Sequence, residues 1–182
     1  MNITPTPIAD LLIVEPRVMH DDRGYFYESF NADAFAEHGL PRDFKQDNHS
    51  FSVKGVLRGL HFQLPPKAMG KLVRCTRGKV WDVAVDLRKD SPTYKQWFGL
   101  ELSPETKKML WIPVGFAHGF YALEDSEVLY KSTETYDKAG DANVAWNDPD
   151  LAVAWPLLAD SVPLVSTRDA AAPKLAELDL PF

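Results

Sequence analysis

In Val80-Trp81-Asp82-Val83-Ala84-Val85-Asp86-Leu87 the apolar residues recur at every second position, so that Trp81, Val83, Val85 and Leu87 share one face while Asp82 and Asp86 fall on the other. A period of two belongs to extended chain, whose successive side chains point to opposite faces. It is the strongest periodicity in the sequence, ahead of the 3.6 of a helix. Similar short strands are expected at Leu11–Val14, Tyr25–Phe30, Leu72–Thr76, Trp97–Leu102, Phe116–Leu123 and Val128–Thr135. Turn signals separate them: Asp21-Asp22-Arg23-Gly24, Arg77-Gly78, Asp90-Ser91-Pro92 and Lys138-Ala139-Gly140-Asp141. Many short strands punctuated in this way predict an antiparallel sandwich or barrel.

Helix is scarce. Asn31 is placed to cap residues 32–38, which Gly39 ends. Ser103-Pro104-Glu105-Thr106 reads as the start of a one-turn helix, with serine as cap and proline at the first position. The tail after Trp155 reads as irregular chain with a short helix near Ala171–Leu178, and its apolar residues predict that it packs on the body. No repeat or linker divides the 182 residues, so one domain over 1–182 is expected. No apolar run approaches a membrane span, and the N-terminus lacks the pattern of a signal peptide. The single cysteine, Cys75, makes no internal disulfide and suits a reducing cytoplasm, where it reads as a packing residue. A net charge of −6 and the lack of a basic run argue against nucleic acid and anionic membranes as partners.

Chemistry concentrates in two runs. Gly55-Val56-Leu57-Arg58-Gly59-Leu60-His61-Phe62-Gln63 carries an arginine and a histidine three residues apart inside apolar chain. Pro113-Val114-Gly115-Phe116-Ala117-His118-Gly119-Phe120-Tyr121 repeats the theme with His118. Charged groups are costly to desolvate unless paired, so such runs suggest a lined pocket within β-structure. A metal-binding barrel presents two histidines at alternate positions of one strand, with a carboxylate and a later histidine. Here Gln63 offers an amide where the second imidazole is needed, and His20, His38 and His49 lie elsewhere, so no metal is expected.

The run Pro113-x-Gly115-x-x-His118 is similar to the second motif of cupin barrels. Together with Asp22-Arg23-Gly24, Gln46-Asp47-Asn48-His49-Ser50, the Leu57–Gln63 run, Gly70-Lys71-Leu72-Val73-Arg74, Leu129-Tyr130-Lys131 and Trp146-Asn147-Asp148, it makes the chain resemble the dTDP-4-dehydrorhamnose 3,5-epimerase family, metal-free cupins of deoxysugar biosynthesis. The motifs occur in order from about residue 8 to Pro173. The resemblance implies a cupin-type antiparallel β-barrel, or jelly roll, with no cofactor, working in the cytoplasm as a homodimer built by exchange of N-terminal strands. It implies epimerisation of dTDP-4-dehydro-6-deoxy-D-glucose at C3 and C5 to dTDP-4-dehydro-L-rhamnose, within dTDP-L-rhamnose biosynthesis.

Hydrogens alpha to the C4 ketone are acidic because the carbanion delocalises into an enolate, so inversion needs a base on one face, an acid on the other and a group to hold the enolate oxygen. By the family pattern His61 is the base, Asp169 orients it, Tyr130 is the acid and Lys71 lies near the enolate oxygen. The same pattern gives Arg23, Arg58 and Arg168 to the phosphates, with Gln46 and Asn48 as neutral contacts, and stacks Tyr136 on the thymine. It brings Phe26 and Glu28 to the base from a neighbouring subunit and puts His118 in the substrate pocket. Asp141 stands where relatives often carry glutamate. Each residue also has a plainer reading: His118 as an internal hydrogen-bonder, Asp169 as a helix cap, Tyr130 as core, Arg23 as a solvated turn residue. Three rivals remain open at this point: an epimerase that inverts only C3 or only C5, a non-catalytic cupin that binds sugar nucleotides, and a metal-dependent cupin oxygenase.

Overall fold

The computed structural model describes residues 1–158 and 161–182. Thirteen strands are described: β1 (Asn2–Pro5), β2 (Leu12–Glu15), β3 (Met19–Asp21), β4 (Gly24–Phe26), β5 (Gln46–Ser52), β6 (Leu57–Gln63), β7 (Lys71–Arg77), β8 (Val80–Asp86), β9 (Trp97–Leu102), β10 (Met109–Ile112), β11 (Phe116–Ala122), β12 (Ser126–Ser132) and β13 (Asp141–Asn143). Two short helices, α1 (Ala32–Glu37) and α2 (Thr167–Ala170), and a 3₁₀ turn at Leu175–Glu177 complete the elements. All strand pairs are antiparallel, in a six-stranded sheet of order β1-β2-β10-β7-β12-β5 and a five-stranded sheet of order β13-β6-β11-β8-β9. This is the expected all-β jelly roll.

The alternation of β8 explains how the layers stack. Val80 and Ala84 enter a core shared with Val73, Leu110, Phe120 and Val128, which come from both sheets. Val83, Val85 and Leu87 face the other way, into a second cluster closed by Leu151, Leu175 and Leu180 of the C-terminal tail. Both faces of β8 are therefore buried, and Asp82 and Asp86 point into the protein rather than to solvent. A third cluster packs Phe35 of α1 and Leu40 against Leu72, Met109 and Trp111 on the outer face of the larger sheet. Burial of each such Leu, Val or Phe contributes about 1.5–3 kcal/mol.

Most element boundaries shift little from the sequence reading, and the differences have physical causes. The strand expected over Tyr25–Phe30 ends at Phe26, because β3 and β4 form their own two-stranded hairpin. Asn31 caps α1 as expected, its side chain accepting from the Asp33 and Ala34 amides. Ser103–Thr106 is a turn rather than a helix: Ser103 Oγ accepts from the Thr106 amide, but Met109 already begins β10. The helix expected near Ala171–Leu178 is the 3₁₀ turn Leu175–Glu177, while Ser166 caps α2 just before it. Strands β1, β3, β5, β10 and β13 escaped the sequence reading: four of them have only three or four residues, too short to show a period, and the seven-residue β5 is polar at every position but Phe51, so it shows no apolar alternation.

Gly59 sets the contact between the two histidine-bearing strands. Its φ is +134°, and a Cβ there would stand 2.6 Å from the Gly119 Cα. Strands β6 and β11 lie that close beside a bulge between His118 and Phe120, with His61 and His118 directly paired.

Candidate active site

A cleft of about 420 Å³ opens between the two sheets. The larger sheet lines it with Gln46 and Asn48 of β5, Lys71 of β7, and Tyr130 and Ser132 of β12. The smaller sheet supplies His61 and Gln63 of β6 and Asp141 of β13, and Arg168 of α2 and Tyr136 complete the wall. The pairs 46/48, 61/63 and 130/132 are each two residues apart, which is why one strand can present two groups to the same cavity.

His61 and Asp169 form the pair that the family pattern anticipates. Their Nε2 and Oδ1 atoms are 2.6 Å apart, across 108 residues of sequence. Asp169 is buried, and its Oδ2 accepts from the Gly59 amide at 3.4 Å. Its own amide donates to Ser166 Oγ at 3.0 Å. Burial alone pushes this carboxyl upward, yet the hydrogen bond and charge of His61, helped by Gly59 and Ser166, hold it below the ordinary carboxylate range. An ionised acceptor at Nε2 requires the proton on that nitrogen, which leaves Nδ1 as the basic atom of a neutral ring. With its side chain 31% exposed, His61 remains within reach of a ligand in the cleft.

Two further groups have environments that suit proton and charge work. Burial brings Lys71 down to about 8, against the opposing attraction of Asp82 and Asp141, so its ammonium persists at neutral pH. Its Nζ lies 5.8 Å from the centre of the Tyr130 ring. Burial raises the Tyr130 phenol above its ordinary value, with Asp141 adding to the rise and Arg58 opposing it, so the hydroxyl keeps its proton. His61 stands on one sheet and Tyr130 on the other, with the cleft between them.

Asp141 organises the rim. Its two oxygens accept from the two terminal nitrogens of Arg168 at 2.6 and 2.8 Å, and Oδ2 also accepts from the Tyr136 hydroxyl at 3.1 Å. Gln46 ties the rim to β5, donating to Asn48 Oδ1 at 2.8 Å and accepting from the Tyr136 amide at 2.8 Å. Arg58 lies on a neighbouring depression of about 380 Å³ that also touches His61, Arg168 and Asp169. Its donors meet Ser52 Oγ and the Phe51 carbonyl, both neutral.

The structure brings ten of the fourteen candidate residues to this region and leaves four outside. Arg23 pairs with Asp21 at the exposed tip of the β3–β4 hairpin, Phe26 is exposed on the same hairpin, and Glu28 accepts from the Asn31 side chain. His118 is buried against Asp82, with Nε2 to Oδ2 at 2.9 Å, and does not line the cleft; burial lowers its pKa despite the carboxylate. Asp82, Ser132, Gln63 and Met69 were not anticipated here. Ser132 had a legible signal in its two-residue spacing from Tyr130, whereas the fold alone reveals Asp82 as the partner of His118. Gln63 uses its amide fully, donating to the Lys67 and Thr135 carbonyls and accepting from the Asp137 amide. Among the described residues no group of three or more His, Cys, Asp or Glu side chains is arranged to hold a metal ion.

Residues 5–177 match the family model described as dTDP-4-dehydrorhamnose 3,5-epimerase. A Shigella flexneri protein of that name is 50% identical over 181 residues, covering 98% of each chain. The crystal structure of a dTDP-6-deoxy-D-glucose-3,5-epimerase from Legionella pneumophila, in complex with dTDP-4-keto-L-rhamnose, superposes with a TM-score of 0.93 at 47% identity, covering 98% of this chain and 94% of that one. A dTDP-4-dehydrorhamnose 3-epimerase from Streptomyces niveus is 41% identical over 97% of this chain and 85% of its own.

Proposed function

Since the chain belongs to the dTDP-4-dehydrorhamnose 3,5-epimerase family, we propose that it converts dTDP-4-dehydro-6-deoxy-D-glucose to dTDP-4-dehydro-L-rhamnose, inverting C3 and C5. The observation that carries this reading is the pairing of a carboxylate-held imidazole with a protonated phenol on opposite sheets of one cleft. In this mechanism His61 Nδ1 takes the proton from C3 or C5, and the electron pair left behind moves into the C4 carbonyl as an enolate. Asp169 stabilises the imidazolium that forms, as carboxylate–histidine dyads do. The Lys71 ammonium meets the negative enolate oxygen. Tyr130 then delivers a proton to the opposite face of the same carbon. Arg58 and Arg168 hold the diphosphate, whose oxygens suit guanidinium donors, Gln46 and Asn48 add neutral contacts, and Tyr136 stacks on the base.

The same reading takes the enzyme to be a cytoplasmic homodimer. The buried free thiol of Cys75 suits a reducing compartment. The β3–β4 hairpin exposes Met19, Tyr25 and Phe26 beside Arg23, a surface suited to a second chain, and β1 lies at a sheet edge. In such a dimer Arg23, Phe26 and Glu28 serve the partner's cleft. The test of the activity is incubation with dTDP-4-dehydro-6-deoxy-D-glucose in D₂O, followed by NMR at C3 and C5. Deuterium at both carbons, with the rhamno product trapped by a reductase, supports the double epimerase. Deuterium at one carbon alone makes the enzyme a single epimerase, and binding without exchange refutes the roles of His61 and Tyr130.

A further inference from the structure

Ser132 ends β12 two residues beyond Tyr130, so both side chains leave the strand on the side of the cleft. It is paired across the ladder with Lys71 of β7 and, on its other flank, with Gln46 of β5. Directly opposed residues of an antiparallel pair have Cβ atoms about 4.5–5.5 Å apart on one face, so the Ser132 hydroxyl and the Lys71 stem are neighbours. Ser132 is 0% exposed, and its Oγ has no hydrogen-bond partner. Most buried hydroxyls are bonded, and leaving one unbonded costs free energy. A residue that needed only volume here would be served as well by alanine, without that cost. The hydroxyl carries one proton to donate, and it stands in the cleft wall beside an ammonium that bears three.

We infer that Ser132 is a second oxyanion donor, its hydroxyl joining Lys71 on the oxygen of the enolate. This rests on the proposed epimerase reading and adds a residue to it. Oxyanions are held best by donors fixed before the charge develops, and a hydroxyl locked on a strand between two paired neighbours meets that requirement. A bond made chiefly to the developing negative charge strengthens in the transition state, so its loss appears in kcat rather than in KM.

The test compares the wild type with Ser132→Ala and Ser132→Thr, using deuterium incorporation at C3 and C5 and, separately, dTDP affinity. The expected result for Ser132→Ala is a loss of about 10²-fold in the exchange rate, the effect of removing one oxyanion donor. Affinity for dTDP should be unchanged, and Ser132→Thr, which keeps a hydroxyl, should recover most of the rate. Exchange by Ser132→Ala within about threefold of wild type, or an equal loss in both variants, overturns the role and leaves the epimerase reading intact. A loss confined to KM or to dTDP affinity also overturns it, since the hydroxyl then contacts the ground state. No exchange by the wild type itself overturns the epimerase reading and the oxyanion role together.

Discussion

Replacing Asp169 by asparagine keeps the size of the side chain and removes its charge, and the surroundings of the carboxylate dictate the outcome. Oδ1 accepts from His61 at 2.6 Å and Oδ2 from the Gly59 amide at 3.4 Å, so both oxygens face donors. An amide satisfies only one of them. If its oxygen stays with His61, its NH₂ opposes the Gly59 N–H, and the imidazolium formed during turnover loses its counter-charge. If the amide flips, its NH₂ forces His61 to accept at Nε2, which moves the ring proton to Nδ1 and abolishes the base. The shorter contact to His61 favours the first arrangement. Two unit charges about 4 Å apart at an effective dielectric of about 20 attract by about 4 kcal/mol. Because the imidazolium exists only after proton transfer, nearly all of this falls on the barrier, and at about 1.36 kcal/mol per decade the loss is about 10³-fold. The flipped arrangement gives more, about 10⁴-fold by comparison with the serine-hydrolase triad. The assay is the initial rate of deuterium incorporation at C3 and C5, with dTDP affinity as the control for folding. A loss of less than about tenfold with normal dTDP affinity would refute the assignment of Asp169 as partner of the catalytic base.

The pH dependence of kcat/KM should show an alkaline limb near 8, because the Lys71 cation is present below its pKa of about 8 and lost above it. Lys71→Arg should move that limb upward, and a limb unchanged by the substitution would remove Lys71 from the oxyanion site. Tyr130→Phe should spare proton removal and impair its return on the far face, so that deuterium exchange survives better than inversion; equal defects would sink the acid assignment. His118 is buried with its pKa lowered, so between its folded value and the ordinary 6.5 the unfolded chain binds the extra proton and stability rises with pH. Urea midpoints should therefore fall as pH drops below about 6.5, more in wild type than in His118→Gln, and parallel curves would contradict this. Asp141 neutralises Arg168, whereas among the described residues no ion pair involves Arg58. Arg58→Ala should therefore cost more dTDP affinity than Arg168→Ala, about ten- to a hundredfold for a charged hydrogen bond, with a shallower salt dependence afterwards; the reverse order would show that the Asp141 pair opens on binding.

Legibility in the sequence followed the range of the interactions. The alternation of Val80–Leu87 identified β8 and its two faces correctly, because strand period is a local property. It did not reveal that the aspartate face is the interior, since that depends on a second sheet covering it. His61, Lys71 and Tyr130 sat in recognisable motifs, and the fold brings all three to one cleft. The partnership of Asp82 with His118 joins β8 to β11 and has no local signature. Nor does the engagement of both Asp141 oxygens by Arg168, which binds a strand to a helix 27 residues later. The family pattern gives Arg23 to the phosphates and brings Phe26 and Glu28 from a neighbouring subunit, and in a single chain all three lie away from the cleft.

The C-terminal tail shows how irregular chain can fix the geometry of the His61–Asp169 pair. Asp169 sits on a helix of only four residues, too short to be stable by itself. It is fixed from both sides instead. Upstream, Leu164 exchanges hydrogen bonds with the chain at β6, accepting from the Leu57 amide and donating to the Gly55 carbonyl, both at 2.9 Å. Downstream, the Pro173 carbonyl accepts from the Ala145 amide, and the Leu175 amide donates to Asp148 Oδ2 at 2.7 Å. Asp148 is buried, and its other oxygen accepts from the Asp150 and Leu151 amides, so the Trp146-Asn147-Asp148 motif acts as a peg for the tail. Leu175 and Leu180 then bury themselves against β6, β8 and β11. A loop closed over 108 residues pays an entropic cost that no single hydrogen bond repays. The apolar tail residues and the Asp148 peg supply that stabilisation, so their place in the fold is to hold one carboxylate within 2.6 Å of one imidazole.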